Sequence, residues 1–149
     1  MKIKSCLVVF VMFIMSSFSF ASEIGYIDMG FLVQNLKQVA KFNDSIKVKQ
    51  EEFQKFVEKK EKEISDATQK QKDQQKIQEM MTKAQEELRP KQEELLTLQR
   101  AFETSLKMQI DTTSKSIAEE YNLDVVVNKE VLFYGGFDIT NIVIDRLNQ

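Results

Sequence analysis

The chain has 149 residues, 21 of them basic and 23 acidic for a net charge of −2, with no histidine, no tryptophan and one cysteine, Cys6. This composition lacks the commonest metal ligand and general base together, and its four glycines, at 25, 30, 135 and 136, leave no glycine-rich loop for a phosphate. An acidic balance also argues against nucleic acid as the main partner, because that binding needs a basic face to displace counterions.

The chain opens MKIKSCLVVFVMFIMSSFSFASE. Lys2 and Lys4, the apolar run Cys6–Met15, and the small residues Ser19 and Ala21 predict a secretory signal peptide over residues 1–21. The run is shorter than the ~20 residues of a spanning helix. Its removal leaves 19 basic against 23 acidic side chains over 128 residues, a net charge of −4, and no cysteine. The exported chain, residues 22–149, is then stable by packing alone, without disulfides.

Next comes EIGYIDMG, which reads as one short strand bounded by Gly30. From about Val39 to Glu120, Lys, Glu, Gln, Ala, Leu and Met dominate, so this stretch is helical by propensity. The pairs Glu51–Lys55, Glu58–Lys62, Glu79–Lys83 and Glu103–Lys107 add acid-before-base support at four-residue spacing. Acidic doublets such as Glu51/Glu52 and Glu93/Glu94 are adjacent on a helix and do not face one another. They read as solvated surface, and no enzyme is expected.

Apolar residues recur at three-four spacing in two seams: Phe42, Ile46, Phe53 and Phe56, and then Ile77, Met81, Ala84, Leu88, Leu95, Leu98 and Phe102, with Lys91 interrupting the second. Such seven-residue seams need a facing helix. A continuous rod of about 120 Å and an antiparallel hairpin both satisfy them. A single front strand is not stable alone, since a sheet needs three or more strands, and folding the helix back brings residues 24–28 beside 125–134. The expectation is therefore a hairpin over residues 37–121, with its tip within 65–81, at Ser65-Asp66 or around Asp73, and arms of roughly 40–50 Å. Pro90, in the returning arm, removes a helical hydrogen bond and is a hinge candidate.

Near the end, LDVVVNKEVLFYGG carries two β-prone runs, Val125–Val127 and Val131–Tyr134, which predict a β-hairpin turning at Asn128-Lys129-Glu130. Asp138 or Thr140 then caps a short closing helix containing Ile142, Val143 and Leu147. The fold class is α+β: one domain over 22–149, with a small β body from 22–36 and 122–149 and a long helical coiled-coil hairpin hanging from it.

The two ends, IGYIDMGFLVQNL and YNLDVVVNKEVLFYGGFDITNIVIDRLN, resemble the Skp/OmpH family of periplasmic chaperones. The resemblance rests on Met29-Gly30 after the first strand, Leu123-Asp124-Val125-Val126-Val127, Phe133-Tyr134 and Asp138-Ile139-Thr140, about 50 residues with the signal peptide. It implies a homotrimer whose strands form one small body, with three helical tentacles enclosing a cavity that holds unfolded outer-membrane proteins in the periplasm without ATP or any cofactor. Two departures stand out. Family members are often strongly basic whereas this exported chain is acidic, so contact with lipopolysaccharide or a membrane surface is expected to be weak, and the YGGFDIT segment is short.

Within that reading the client-binding candidates are Lys70, Lys72, Lys76, Met80, Met81 and Lys83 near the tip, where the lysines outnumber Asp66, Asp73 and Glu79 by one and methionine adapts to irregular partners. Phe53, Phe56 and Phe102 fit either the cavity wall or the hairpin seam. The competing class is a structural or adaptor coiled coil of the cell envelope that binds one folded partner. A histone-like DNA-binding role conflicts with the signal peptide and the acidic balance.

Overall fold

The computed structural model describes residues 23–70 and 73–149; the expected signal peptide lies outside them. In chain order the elements are β1 (Ile24–Ile27), α1 (Met29–Asn35), α2 (Lys37–Gln69), α3 (Gln74–Glu120), β2 (Val125–Asn128), a single 3-10 turn (Lys129–Val131), β3 (Phe137–Asp138) and α4 (Thr140–Leu147). The fold is α+β: two long helices in a hairpin and a small three-stranded sheet.

At 1.5 Å per residue, the 33 residues of α2 and the 47 of α3 extend about 50 and 70 Å. They run antiparallel. Near the body the rings of Phe42 and Phe102 stack with centroids 3.9 Å apart and planes at 1°. Further out, Lys49 Nζ meets Glu94 Oε1 at 3.1 Å, and Lys60 Nζ meets Glu87 Oε2 at 2.6 Å. The chain turns between Gln69 and Gln74, where the Asp73 carboxylate accepts from the Gln75 N–H at 3.2 Å and opens α3. Ser65 and Asp66, the alternative turn position that the sequence offers, are inside α2. Helix α3 continues through Pro90, whose exposed position leaves the unbonded Glu86 carbonyl to solvent.

The buried stripe on α3 departs from the expected seven-residue seam. A buried or half-buried stripe runs through 77, 80, 84, 88, 95, 99, 102, 106, 110, 113 and 117, an 11-residue repeat in which only Lys91 is exposed, and it widens at the body to include Ser105, Ser114 and Ala118. Met80 therefore takes the inward position expected of Met81, and Gln99 that of Leu98. An 11-residue repeat corresponds to about 3.67 residues per turn, close to an ordinary α-helix. The arm therefore needs none of the underwinding that a heptad seam imposes.

The sheet order is β2-β1-β3, with β1 parallel to both neighbours: Ile24 lies opposite Val125, and Gly25 opposite Val126 on one side and Phe137 on the other. The expected β-hairpin of Val125–Val127 with Val131–Tyr134 does not form. After β2 the Asn128 side-chain Oδ1 accepts from the Glu130 N–H and caps the 3-10 turn. Residues 132–136 then return along the sheet so that β3 can start level with β1. That return depends on Gly135 and Gly136, with φ of 82° and 88°. A Cβ on Gly136 would lie 2.9 Å from Leu132 Cδ2 and 3.2 Å from the Ile24 carbonyl oxygen, so an alanine there meets both strain and collision.

Beneath the sheet the core comprises Ile27, Leu32, Leu36, Leu106, Ile110, Ile117, Leu123, Ile139, Val143 and Ile144. Helix α3 enters it through its last turns and ends with Asn122 at φ 53° and the Leu123 N–H donating to the Ala118 carbonyl at 2.8 Å, a Schellman cap. Asn148 clamps the break between α1 and α2. Its Oδ1 accepts from the Lys37 N–H at 2.8 Å, and its Nδ2 donates to the Asn35 carbonyl at 2.9 Å.

Asp28 and Thr140 join the two chain ends by side-chain chemistry. Asp28 caps α1 by accepting from the Phe31 N–H at 2.9 Å, and its other oxygen receives Lys129 Nζ at 2.8 Å. The Asp28 N–H donates to Thr140 Oγ1, which donates in turn to Asp138 Oδ1; that same oxygen accepts the Thr140 N–H at the start of α4, whose N-cap position is Ile139 and not the expected Asp138 or Thr140. The hydrogen bond from Lys129, aided by that from Phe31, holds the Asp28 carboxyl below its ordinary 3.8, and Lys129 is raised above 10.5 by the same contact.

Two predictions follow from this packing. Phe102→Ala should destabilise the chain by about 2 kcal/mol, less than the roughly 3–5 kcal/mol of a fully buried phenylalanine because the ring is half-exposed; urea denaturation of the variant measures it. A folded-state carboxyl pKa below the unfolded one adds stability that is complete above pH ~4 and fades as pH falls through the folded value. Asp28→Asn keeps the cap but loses the charge, so its melting temperature should lie below wild type at pH 7 and converge with it as the pH falls below about 4. A gap that stays constant as the pH falls would show that the carboxylate contributes nothing through its charge.

Candidate functional site

The arms present the first candidate surface, and its character follows from what the seam lacks. Midway out, the apolar positions give way to Lys60, Lys91 and a lone Phe56. Lys60 Nζ and Lys91 Nζ lie 5.3 and 5.0 Å from the centre of the Phe56 ring, so the ring is capped by two cations at cation–π distance. Lys60 is anchored by Glu87, whose hydrogen bond raises its pKa against the opposing effect of desolvation, with Glu63 also near. A polar segment thus stands where a coiled coil would place leucine. Phe53 is half-buried beside it, in a small recess with Lys49, Leu95 and Glu94.

With so narrow a seam, apolar side chains are left outside it. Val48, Met81, Leu96, Leu98 and Met108 are exposed along the arms, Met81 at 41% and Met108 at 63%. Scattered exposure of this kind on helices with a thin core offers weak, adaptable contacts rather than one shaped pocket.

Of the tip residues named from sequence, Lys70 closes α2, and Lys76 and Lys83 lie exposed on the first turns of α3. None of these three forms an ion pair among the described residues. Lys72 lies outside the described residues. Met80 is half-buried on the seam side while Met81 faces solvent, so the two methionines are divided between core and surface. Phe102 is committed to the stack on Phe42, and Phe56 to its two lysines. Pro90 borders a shallow concavity on α3 with Gln85, Glu86 and Glu93.

The body carries a second feature that the sequence did not disclose. Between α1, the last turns of α3 and β2 lies an open groove of about 790 Å³, walled by Ile27, Met29, Val33, Leu106, Ile110 and Val126. Its rim is charged, with Glu103, Lys107, Asp111 and Lys115. No single segment spells this groove, because its walls come from four separate elements.

Among the described residues no group of three or more His, Cys, Asp or Glu side chains is placed to hold a metal ion, and no helix is long and apolar enough to cross a membrane. No curated protein matches the sequence. A family model described as outer membrane protein (OmpH-like) matches residues 23–147, nearly the whole of the described chain. With long hairpin arms on a small sheet body and a match of that extent, the chain belongs to the OmpH-like (Skp/OmpH) family of periplasmic, non-enzymatic chaperones associated with outer-membrane proteins.

Proposed function

We propose that this chain, exported by its first 21 residues, is an ATP-independent holdase that assembles as a homotrimer and keeps unfolded outer-membrane proteins from aggregating in a cavity between its helical arms. The observation that carries the reading is the pair of arms with a polar plug at Phe56 and apolar side chains left outside the seam. A protein that must hold many unrelated chains gains from contacts that are individually weak and conformationally adaptable, and exposed methionines on thin helices provide them. Met80, Met81 and the tip lysines Lys70, Lys72, Lys76 and Lys83 are the proposed first points of contact, with the lysines drawing acidic client segments from a distance. Phe53, Phe56 and Phe102 act through the stiffness of the arm, and Pro90 is the place where the returning arm would flex.

The test is light scattering of a urea-unfolded outer-membrane β-barrel diluted into buffer with the mature chain and no nucleotide. Suppression near three chains per client is the expected result. No suppression at large excess would overturn the holdase and favour an adaptor that binds a folded partner.

Steering by the tip is read separately. Replacing Lys70, Lys72, Lys76 and Lys83 by glutamine should slow client capture several-fold at low ionic strength and leave it nearly unchanged at high salt, where the screening length falls to ~3 Å at 1 M. A capture rate equal to wild type in both buffers would remove the lysines from the mechanism.

A further inference from the structure

Residues 22–149 contain no cysteine, histidine or tryptophan, so the four methionines there, Met29, Met80, Met81 and Met108, are the side chains that a peroxide attacks most readily. The fold grades their access. Met29 is half-buried at the start of α1, packed against the core and walling the groove of the body. Met108 is the most open, 63% exposed between the exposed Lys107 and Gln109, and it projects away from the core that holds Leu106 and Ile110. Between these extremes stand Met80 and Met81, adjacent on the first turns of α3, one half-buried on the seam and the other 41% exposed.

The sites differ in what an oxygen added to sulfur would disturb. At Met108 the arm is rooted in the body core through Leu106, Ile110 and Ile117, and a sulfoxide on its outer face meets water. At the tip the seam is thin. Its buried side chains among the described residues are Ala67 and Ala84, with Ile77 and Leu88 half-buried on either side of the latter. Met80 therefore supplies much of the apolar contact that closes the tip. A contact so small opens locally, which exposes the Met80 sulfur to an oxidant that Met81 meets directly. Reach and consequence coincide at this pair and at neither of the other two methionines.

We propose that Met80 and Met81 form a reversible modification site at which oxidation by a peroxide loosens the hold on a client, whereas Met108 is oxidised without effect. The thioether sulfur attacks one oxygen of hydrogen peroxide. The O–O bond breaks as the S–O bond forms, and the second oxygen takes up the proton of the first and leaves as water. Sulfur is oxidised by two electrons and the peroxide is reduced by the same two. A methionine sulfoxide reductase supplied with a dithiol reverses the step, releasing the oxygen as water while the two thiols become a disulfide. Because the sulfoxide is polar where the thioether was apolar and adaptable, the tip loses the property that lets it fit irregular clients. The inference rests on the reading of the tip as the first point of client contact made above and adds a control on that contact.

The experiment treats the mature chain with hydrogen peroxide and follows the gain of one oxygen at each methionine by peptide mass spectrometry. At each time point the sample is tested for suppression of light scattering by a urea-unfolded outer-membrane β-barrel. Met108 and Met81 should react first, Met80 after them and Met29 last. Client holding should fall several-fold in step with Met81 and Met80, with helical circular dichroism retained, and should return on treatment with dithiothreitol and reductases for both sulfoxide epimers. Oxidised Met108→Leu, compared with its own untreated sample, should lose as much as wild type. Met80→Gln/Met81→Gln, in which an amide stands in for the sulfoxide, should hold several-fold more weakly than wild type with no oxidant present. A loss that follows Met108, a loss accompanied by melting of the helices, or a glutamine variant that holds as well as wild type overturns the proposal. So does a fully oxidised wild type that holds as well as the untreated chain, a result that leaves the holdase reading intact. An untreated wild type that fails to hold the client overturns that reading and the oxidation site with it.

Discussion

Four residues, Ile24–Ile27, hold the ends of the chain together, and the long helices exist on the terms that this strand sets. Because β1 is parallel to β2, the chain between them must cross from one end of the sheet to the other. In most folds a single helix makes that crossing. Here the crossover has been extended outward into two arms and brought back, so a body built from the first and last few dozen residues carries helices that reach about 50 Å away from it. Asp28 then fastens the join to Thr140 and Lys129 with hydrogen bonds that bridge more than 100 residues of sequence, and Asp138 holds the Thr140 hydroxyl in place.

Stiffness along this structure falls off with distance from the sheet. At the root, Leu106, Ile110 and Ile117 belong to the body core, and the Phe42–Phe102 stack continues it into the arms. Beyond them the helices are held by the Phe56–lysine sandwich and by exposed ion pairs such as Lys49–Glu94, which contribute up to ~1 kcal/mol each. Near the tip the buried side chains among the described residues are Ala67 and Ala84, which have little apolar area to lose. Local opening is therefore easiest at the tip and hardest at the root, an ordering suited to arms that must adapt to what they hold while remaining attached.

The hairpin could be read from sequence because its signals are local and mutually consistent: a glycine-free stretch of helix formers, apolar residues recurring on one face, and β-prone runs confined to the ends. The period was harder to read. Met80 and Met81 are equally apolar, and only the packed arm shows that the stripe repeats every 11 residues and takes the first of them. The Asn148 clamp on Lys37 and Asn35 was invisible for a different reason, since nothing near Asn148 announces a partner more than 110 residues away. The groove was missed on the same ground. Val131–Tyr134 is the instructive departure, because its β propensity is real but a propensity does not name the strand that will satisfy it. Within one chain the parallel sheet uses Phe137–Asp138 instead and leaves the stronger β-former in solvent.

The groove in the body bears on the arms as well. Its wall opposite β2 is made by Leu106, Lys107, Ile110 and Ser114 of α3, which are also the residues where the returning arm is rooted. The packing of β1, β2 and α1 around that root fixes the direction in which the arm leaves the body, while the thin seam beyond Phe42 and Phe102 leaves the tip free to adapt. Direction is thus determined at the sheet and adaptability at the tip, so substitutions in the two regions should act on different properties of the same arm.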